Sequence, residues 1–447
     1  MIDVLNLEWD AALSRDRQMA SLVCNYLRFQ GVTVKEGSVF QGYELIRKYR
    51  PRILFFSNIT GAQINYNVAV YAVRCGIKVV SLVSEGNFRE SELDQFLWGW
   101  NEEKVLLETV NMQWTERTRK MTLEHYPKLQ NKIKVSGGVG FDVYKLLPLS
   151  DKKTFLKKYG KDIYEKIIGV GCWDFGIFFP DDTRFSYEKN IYSEEEIAYF
   201  RKDGELFNEI LRKVVLANPD ILFLLKEHPG VQLGRKASGI IGLESFPNVL
   251  ILKREEPIIT CLSVSDFWIT YESTTALEGW LLDKKTCLLN PQGGQFKRDK
   301  VAKGSPIFST FSELQQNIRK FYLGMPLDGY IEKETVRNEL IKETIQWSDG
   351  FNHVRAGNEI KKILEKEEGD KVFINVFRDT VFLRYFVIWR LCLLPFIGKR
   401  WSFYLEMRRR FSKKQIEETN SILQKYQLAF YQKNNMDQEK LKTYECL

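Results

Sequence analysis

The feature that most constrains the fold is an alternation of short apolar runs with longer amphipathic runs along the first third of the chain. Residues 2–8, 52–56 and 77–83 predict buried strands, whereas residues 15–30 and 62–75 predict helices. Each of these helices is followed by a glycine, the usual residue just past a helix end. A β-α-β-α order of this kind predicts a parallel, doubly wound sheet.

The same alternation pauses near residue 150 and then restarts. Residues 167–173 and 221–226 predict strands, with a long helix over 193–217 between them. We therefore expect an α/β fold of two Rossmann-like, doubly wound domains facing a cleft. The predicted boundaries are 1–150 for the first domain and 151–370 for the second, which ends in a helix returning across the junction.

The rest of the chain, residues 371–447, is expected to form a basic, apolar, mainly helical tail, with a polar helix over 416–447. Residues 371–415 contain eleven Lys and Arg against two acidic residues, an excess of nine positive charges, while the whole chain has a net charge of +8. The remainder is thus nearly neutral, which argues against a general nucleic-acid binder. Aromatic and aliphatic residues are interleaved with the charges, and Arg384 and Arg390 interrupt the apolar run. We predict that residues 372–415 lie on an anionic inner-membrane surface. The alternative is a helical hairpin packed on the second domain.

The numbers of cysteine and histidine residues limit which disulfides and metal sites the chain can form. The chain has seven Cys, with no CxxC pair, and only three His. An odd, unpaired set of cysteines argues against a disulfide framework and suits a reducing cytoplasm. So few histidines make a multi-His metal site improbable, and we expect no metal cofactor.

Three segments carry candidate chemistry because each follows a predicted strand, where open parallel sheets bind ligands. The first is Ser84-Glu85-Gly86. A carboxylate at a strand end can act as a general base, so Glu85 is a candidate for that role. The alternative is an ordinary loop glutamate beside a glycine turn.

The second segment, residues 225–230, has the sequence LKEHPG and follows the strand predicted over 221–226. A histidine at this position can donate a proton or a hydrogen bond to a departing phosphate, so we predict that role for His228. Lys226, at the end of the strand, is a candidate nucleotide ligand. The alternative for His228 is a solvated loop histidine.

The third segment is Ser273-Thr274-Thr275, followed by a predicted helix that contains Glu278. Hydroxyl groups and free backbone N–H groups at a helix start can bind an anion. We predict that Glu278, one turn further on, reaches a sugar or ribose hydroxyl pair. The alternative is that Ser273 caps the helix and Glu278 is exposed.

Taken in order, the segments SEG, KEHP and ESTTALEGWLLDKKT resemble glycosyltransferases of the GT-B fold that build bacterial surface carbohydrates and capsules. That group includes bacterial sialyltransferases, capsule Kdo transferases and, more distantly, CDP-glycerol glycerophosphotransferases. The resemblance covers about residues 1–365. Two departures concern the motifs: Ser84 stands where sialyltransferases often have a second carboxylate, and Glu227 stands where many relatives have proline.

This resemblance implies a metal-independent glycosyltransferase that takes a CMP-linked sugar to a surface polysaccharide or lipid-linked glycan. It implies that residues 1–150 form the acceptor-side domain and residues 151–370 the nucleotide-sugar-binding domain. It implies that Glu85 deprotonates the acceptor hydroxyl and that His228 stabilises the departing phosphate. By the same resemblance, the nucleotide ligands would be Lys226, Ser273, Thr274, Thr275 and Glu278.

Two other functions fit the same sequence. The first is a non-hydrolysing UDP-N-acetylglucosamine 2-epimerase, an enzyme that needs several acid–base groups around the sugar. The second is a non-catalytic, GT-B-like scaffold of a polysaccharide assembly complex, which the degenerate Ser84 would suit. The identity of the bound nucleotide would separate the three.

Overall fold

The computed structural model of the chain describes residues 2–9, 15–58, 63–98, 104–182, 184–227, 242–253, 255–271, 273–293, 303–366 and 411–444. These residues form two compact units. The first contains the described residues within 1–147 and 342–447, and the second contains those within 148–341. Each unit is built around its own six-stranded parallel sheet with helices on both faces. The predicted α/β class with two Rossmann-like units is therefore confirmed.

In the first unit, a single sheet has the strand order β2-β1-β3-β4-β5-β6. Its strands are β1 (Ile2–Glu8), β2 (Val34–Ser38), β3 (Pro51–Phe56), β4 (Lys78–Leu82), β5 (Val110–Gln113) and β6 (Ile133–Val135). Its helices are α1 (Arg15–Phe29), α2 (Gly42–Tyr49), α3 (Gln63–Arg74), α4 (Leu93–Trp98), α5 (Glu116–His125) and α6 (Val143–Leu146). Helices α2 and α3 share one apolar cluster with the strands, whereas α1 covers the opposite face.

The second unit repeats this plan with the order β12-β11-β10-β7-β8-β9. Its strands are β7 (Lys166–Gly171), β8 (Ile221–Lys226), β9 (Val249–Leu252), β10 (Phe267–Thr270), β11 (Lys285–Leu289) and β12 (Ile307–Phe308). Its helices are α7 (Lys152–Lys158), α8 (Phe185–Glu188), α9 (Glu194–Ala217), α10 (Ile258–Val264), α11 (Thr275–Trp280) and α12 (Phe311–Tyr322). The chain leaves this unit through α13 (Glu334–Ile345).

The remaining described helices belong to the first unit. They are α14 (Asn352–Lys366), α15 (Lys413–Lys433) and α16 (Gln438–Lys442), and both α14 and α15 pack against α1. This arrangement differs from the predicted division, which assigned the return helix to the domain 151–370 and residues 371–447 to a separate tail. Contacts with α1 place α14 and α15 in the first unit, because α1 presents buried side chains to both helices.

Polar contacts fix α15 on the first unit. The Gln427 amide donates to the Leu22 carbonyl at 2.9 Å and accepts from Asn25 Nδ2 at 3.2 Å. Asn420 donates to Glu36, the carboxylate that also pairs with the buried Arg17. Residues 411–444 are thus part of a packed unit. The basic segment 372–410 lies outside the described residues, as does most of the segment predicted to bind a membrane.

Within the described ranges, no helix has both the length and the apolar character that a membrane span requires.

Candidate functional site

The switch point of the first sheet lies between β1 and β3. The chain leaves β1 through α1 on one face and leaves β3 toward α3 on the other, which opens a crevice at the carboxyl ends of these strands. Glu8 ends β1, and Ser57 follows β3. Glu8 Oε1 accepts hydrogen bonds from the Ser57 backbone N–H at 3.0 Å and from Asn6 Nδ2 at 2.7 Å. Glu8 Oε2 accepts one from Ser57 Oγ at 2.5 Å.

Sequence reasoning missed Glu8 as a site residue, although its position as the last residue of a predicted strand was a usable signal. The side chain is only 5% exposed. Burial raises the pKa of the Glu8 carboxyl to about 7, against the opposing effect of the Ser57 hydrogen bond. A buried carboxyl that titrates near neutrality can hold or release a proton under cellular conditions.

Glu85 lies two strands away, just beyond β4, and its side chain is exposed. The turn that carries it is fixed by Trp114. The indole N–H donates to the Val83 carbonyl at 2.6 Å, and a Cβ on Gly86 would lie only 2.1 Å from the ring. Gly86 is therefore required for close packing under Glu85, which explains the glycine in the predicted motif.

A second carboxylate comes from another element. Asp16, in the first turn of α1, is hydrogen-bonded by the Ser84 side chain. Burial raises the pKa of Asp16; the Arg15 charge opposes this rise, and the negative charge of Glu85 adds to it. Ser84 thus binds a carboxylate supplied by α1. The sequence did not reveal Asp16, because only the tertiary fold brings the start of α1 to the end of β4.

Buried carboxyls in this sheet predict a pH-dependent stability. The pKa of Glu8 rises from 4.5 to about 7 on folding, and that of the buried Glu108 does the same, in both cases chiefly through burial. Folding therefore favours the protonated forms, so their contribution is complete below about pH 4.5 and is lost as the pH rises through about 7. At 1.36 kcal/mol per pKa unit, each group contributes about 3 kcal/mol of pH dependence.

We expect the free energy of unfolding, measured by urea denaturation, to decrease between pH 5 and pH 8. Glu8→Gln and Glu108→Gln should each flatten that fall, since the amide does not titrate. The exposed Glu124→Gln variant serves as the matched control and should keep the wild-type profile. A flat wild-type profile would contradict the prediction.

The switch point of the second sheet lies between β7 and β10, and the predicted hydroxyl segment is found there. Thr270 Oγ1 donates to the Gly171 carbonyl at 3.2 Å, which joins the two strand ends. Thr275 Oγ1 accepts from Trp268 Nε1 at 3.2 Å and lies so close to Gly171 that a Cβ there would be 2.7 Å away. Ser273 Oγ accepts from the Thr275 backbone N–H at 3.2 Å.

The helix that follows corrects part of the prediction. Helix α11 begins at Thr275, and its N-cap is Thr274, whose side chain makes no capping hydrogen bond. Ser273, the N-cap in the alternative interpretation, stands one residue before that position, and its hydroxyl accepts a hydrogen bond from the backbone N–H of Thr275, the first residue of the helix. Glu278 is 2% exposed, so the alternative of a solvated Glu278 is wrong. Its role toward a ribose stays a prediction.

The β8 end is the neighbour of β7 on the other side of the switch point. Lys226 Nζ donates to the Lys253 carbonyl, and the Glu227 backbone N–H donates to the Leu252 carbonyl at 2.9 Å. Burial raises the pKa of the Glu227 carboxyl. His228 lies outside the described residues, so its predicted role is untested. Over the described parts of the chain, no group of three or more His, Cys, Asp or Glu is placed to hold a metal ion.

Comparison with known proteins identifies the fold. No protein-family model matches the chain, and no curated protein sequence is significantly similar to it. Among solved structures, a Listeria monocytogenes protein described as a UDP-N-acetylglucosamine 2-epimerase matches 83% of this chain and 99% of its own, with 13% identity and a TM-score of 0.52. MnaA of S. aureus, solved with UDP, matches 84% and 100%, with 13% identity and a TM-score of 0.51.

A further UDP-N-acetylglucosamine 2-epimerase matches 83% of this chain and 99% of its own, with 12% identity and a TM-score of 0.51. At identities this low, the structural match shows a shared fold and assigns no reaction. The fold is the two-unit α/β architecture of the GT-B type, as the sequence predicted.

Proposed function

We propose that this protein is a nucleotide-sugar enzyme, and specifically a glycosyltransferase that moves a sugar from a CMP-linked donor to a surface polysaccharide or a lipid-linked glycan. The observation that supports it is the kind of side chain that follows particular strands. Glu8 and Glu85 lie at the ends of β1 and β4 in the first unit, and Ser273 and Thr275 follow β10 in the second unit. Carboxylates suit the removal of a proton from an acceptor hydroxyl. Hydroxyls suit the binding of a phosphate.

In this proposal the residues divide the chemistry between them. Glu85, which is exposed and held by the Trp114–Gly86 packing, removes the proton from the acceptor hydroxyl. Ser273 and Thr275 hold the nucleotide phosphate near the β7–β10 switch point. His228 stabilises the same phosphate as it departs. Hydrogen-bond donors that point at the departing phosphate can stabilise its charge without a metal ion.

A second candidate, the 2-epimerase, is favoured by a different observation. Inverting a sugar carbon requires groups that remove and return a proton, and the first unit supplies Glu8 and Asp16 in addition to Glu85. Two of the solved structures that share the fold are also described as 2-epimerases. The third candidate, a scaffold without catalysis, would bind no nucleotide.

Calorimetric titration distinguishes these candidates. CMP, CDP, UDP and GDP are titrated with and without EDTA, and the protein is separately incubated with UDP-N-acetylglucosamine while NMR follows the sugar. We expect binding of a cytidine nucleotide that EDTA leaves unchanged. UDP binding with conversion of the sugar would establish the epimerase instead. If none of the four nucleotides binds, the non-catalytic scaffold would be the remaining candidate.

We also propose that the basic segment 372–415 attaches the enzyme to the inner face of an anionic membrane, where a lipid-linked acceptor would be available. Each basic residue near such a surface contributes about 1 kcal/mol. Deleting the whole C-terminus is a poor test, because α15 is packed on α1. The better test neutralises charge: Lys399, Arg400, Arg408, Arg409 and Arg410 are changed to Gln.

We expect the full-length protein to sediment with vesicles that contain phosphatidylglycerol. The variant with all five substitutions should stay in the supernatant at the same salt concentration. A matched variant changes five exposed lysines of the second unit: Lys153, Lys157, Lys202, Lys213 and Lys285. It should sediment like the wild type. Equal sedimentation of all three proteins would contradict membrane attachment through this segment.

A further inference from the structure

The loop after β7 forms the other side of the switch point from Ser273–Thr275. Helix α9, which follows this loop, packs on the same sheet face as Cys287. Helix α11 packs on the opposite face, where the Trp280 indole donates to the neighbouring Thr286 at 2.7 Å. A ligand in the crevice therefore lies between the start of α11 and the residues that directly follow β7. Among these, Trp173 has a partly exposed ring.

The Trp173 ring is held firmly by other aromatic rings. Its centroid lies 5.1 Å from Phe175, 5.2 Å from Phe200 and 5.2 Å from Tyr271. The Tyr271 hydroxyl donates to the buried Asp203, which fixes that neighbour in turn. A rigid aromatic surface loses little conformational entropy when a ligand packs on it.

The next residue anchors the loop. Asp174 is buried and pairs with Arg184 at 2.6 Å, and Arg184 also pairs with Asp182. The Trp173 indole N–H has no hydrogen-bond partner among the residues that the structure describes, in contrast to Trp114, Trp268 and Trp280. Trp173 therefore combines a fixed apolar surface with an indole N–H donor that no described residue accepts from.

We propose that Trp173 is a specificity residue that packs against the sugar ring of the nucleotide-sugar. The inference rests on the proposed function. In a nucleotide-sugar the phosphate lies between the sugar and the nucleoside. If Ser273–Thr275 bind the phosphate and the nucleoside extends along α11 toward Glu278, the sugar lies on the opposite side, next to Trp173. A sugar ring presents C–H groups to an aromatic surface and hydroxyls to an indole N–H.

The test measures how much the sugar adds to affinity. Wild type, Trp173→Ala and Trp173→Phe are titrated with CMP and CMP-sialic acid, and with UDP and UDP-N-acetylglucosamine. We expect Trp173→Ala to weaken the nucleotide-sugar by about tenfold or more and the nucleotide alone by less than about twofold. Trp173→Phe keeps a ring without the donor and should be intermediate. It also keeps the test valid if the alanine variant does not fold.

The matched control is Trp347→Phe, the same change at a partly exposed tryptophan of the first unit, which should leave both affinities unchanged. Equal losses for nucleotide and nucleotide-sugar, or no loss at all, would overturn the role of Trp173 while leaving the proposed function in place. If the wild type binds none of the four compounds, the proposed function fails and this inference fails with it.

Discussion

Replacing Glu85 with glutamine is expected to reduce turnover by about 10²–10⁴, the usual contribution of a general base. Nucleotide affinity should stay within about twofold of the wild type, because Glu85 belongs to the first unit and the predicted phosphate ligands belong to the second. The substitution is nearly isosteric, and the side chain is exposed, so stability should be unchanged. Turnover is measured as release of free nucleotide from the donor that calorimetry identifies, in the presence of a lipid extract as the source of acceptor.

Glu90→Gln is the matched control. Glu90 lies five residues further on, is 70% exposed and contacts His125 at 3.0 Å. Loss of the Glu90 carboxylate should leave turnover unchanged.

His228→Ala should behave differently from Glu85→Gln, weakening nucleotide binding and turnover together. Near-normal turnover of Glu85→Gln would show that the base lies elsewhere. Asp16→Asn is then the next variant to measure, because Asp16 is the neighbouring carboxylate.

The second large effect is expected at a buried network that joins α15 to the first unit. Asp142 Oδ2 accepts from the His353 backbone N–H at 2.7 Å and from His353 Nδ1 at 2.8 Å. With Nδ1 protonated, Nε2 accepts from the Tyr431 hydroxyl at 2.6 Å. The His353 side chain is 0% exposed and that of Asp142 is 1% exposed. Removing the imidazole would take from the buried Asp142 carboxylate its side-chain partner and leave it the backbone N–H of residue 353.

We expect His353→Ala to lower the free energy of unfolding by about 3–5 kcal/mol, as breaking a buried pair usually does. Tyr431→Phe removes a single hydroxyl and should cost about 1–2 kcal/mol. His125→Ala changes a half-exposed histidine in the same unit and should stay within about 0.5 kcal/mol of the wild type. Calorimetric thermal unfolding ranks the three variants. Equal stability of His353→Ala and His125→Ala would show that the network contributes little.

This network also bears on the candidate site. Asp142 directly follows Phe141, which contacts Trp114 with ring centroids 5.2 Å apart. Trp114 in turn fixes the turn that carries Glu85. The C-terminal helix therefore supports the packing beneath the candidate base, which is a further reason to test membrane attachment by neutralising charge instead of deleting residues 372–447.

The sequence by itself determined the class of the fold. Strand ends could be located because parallel strands are short, apolar and bounded by turn residues, and this placed Glu85, Lys226 and Ser273–Thr275 at the carboxyl edges of their sheets. The short β5 was missed, because its sequence VNMQ has a weak strand pattern. The alternative of an exposed Glu278 was wrong, because the tertiary structure buries this side chain.

Only the tertiary structure decided which distant residues meet. Asp16 reaches Ser84 because α1 begins near the end of β4, and Glu8 reaches Ser57 because β1 and β3 are neighbours in the sheet. Local pattern carries no information on such pairs, since it reports how one segment folds and not what packs against it. The same reason applies to α15. Its sequence predicts a polar helix, but its place on α1 depends on pairs such as Gln427 and Asn25, which lie 402 residues apart in the chain.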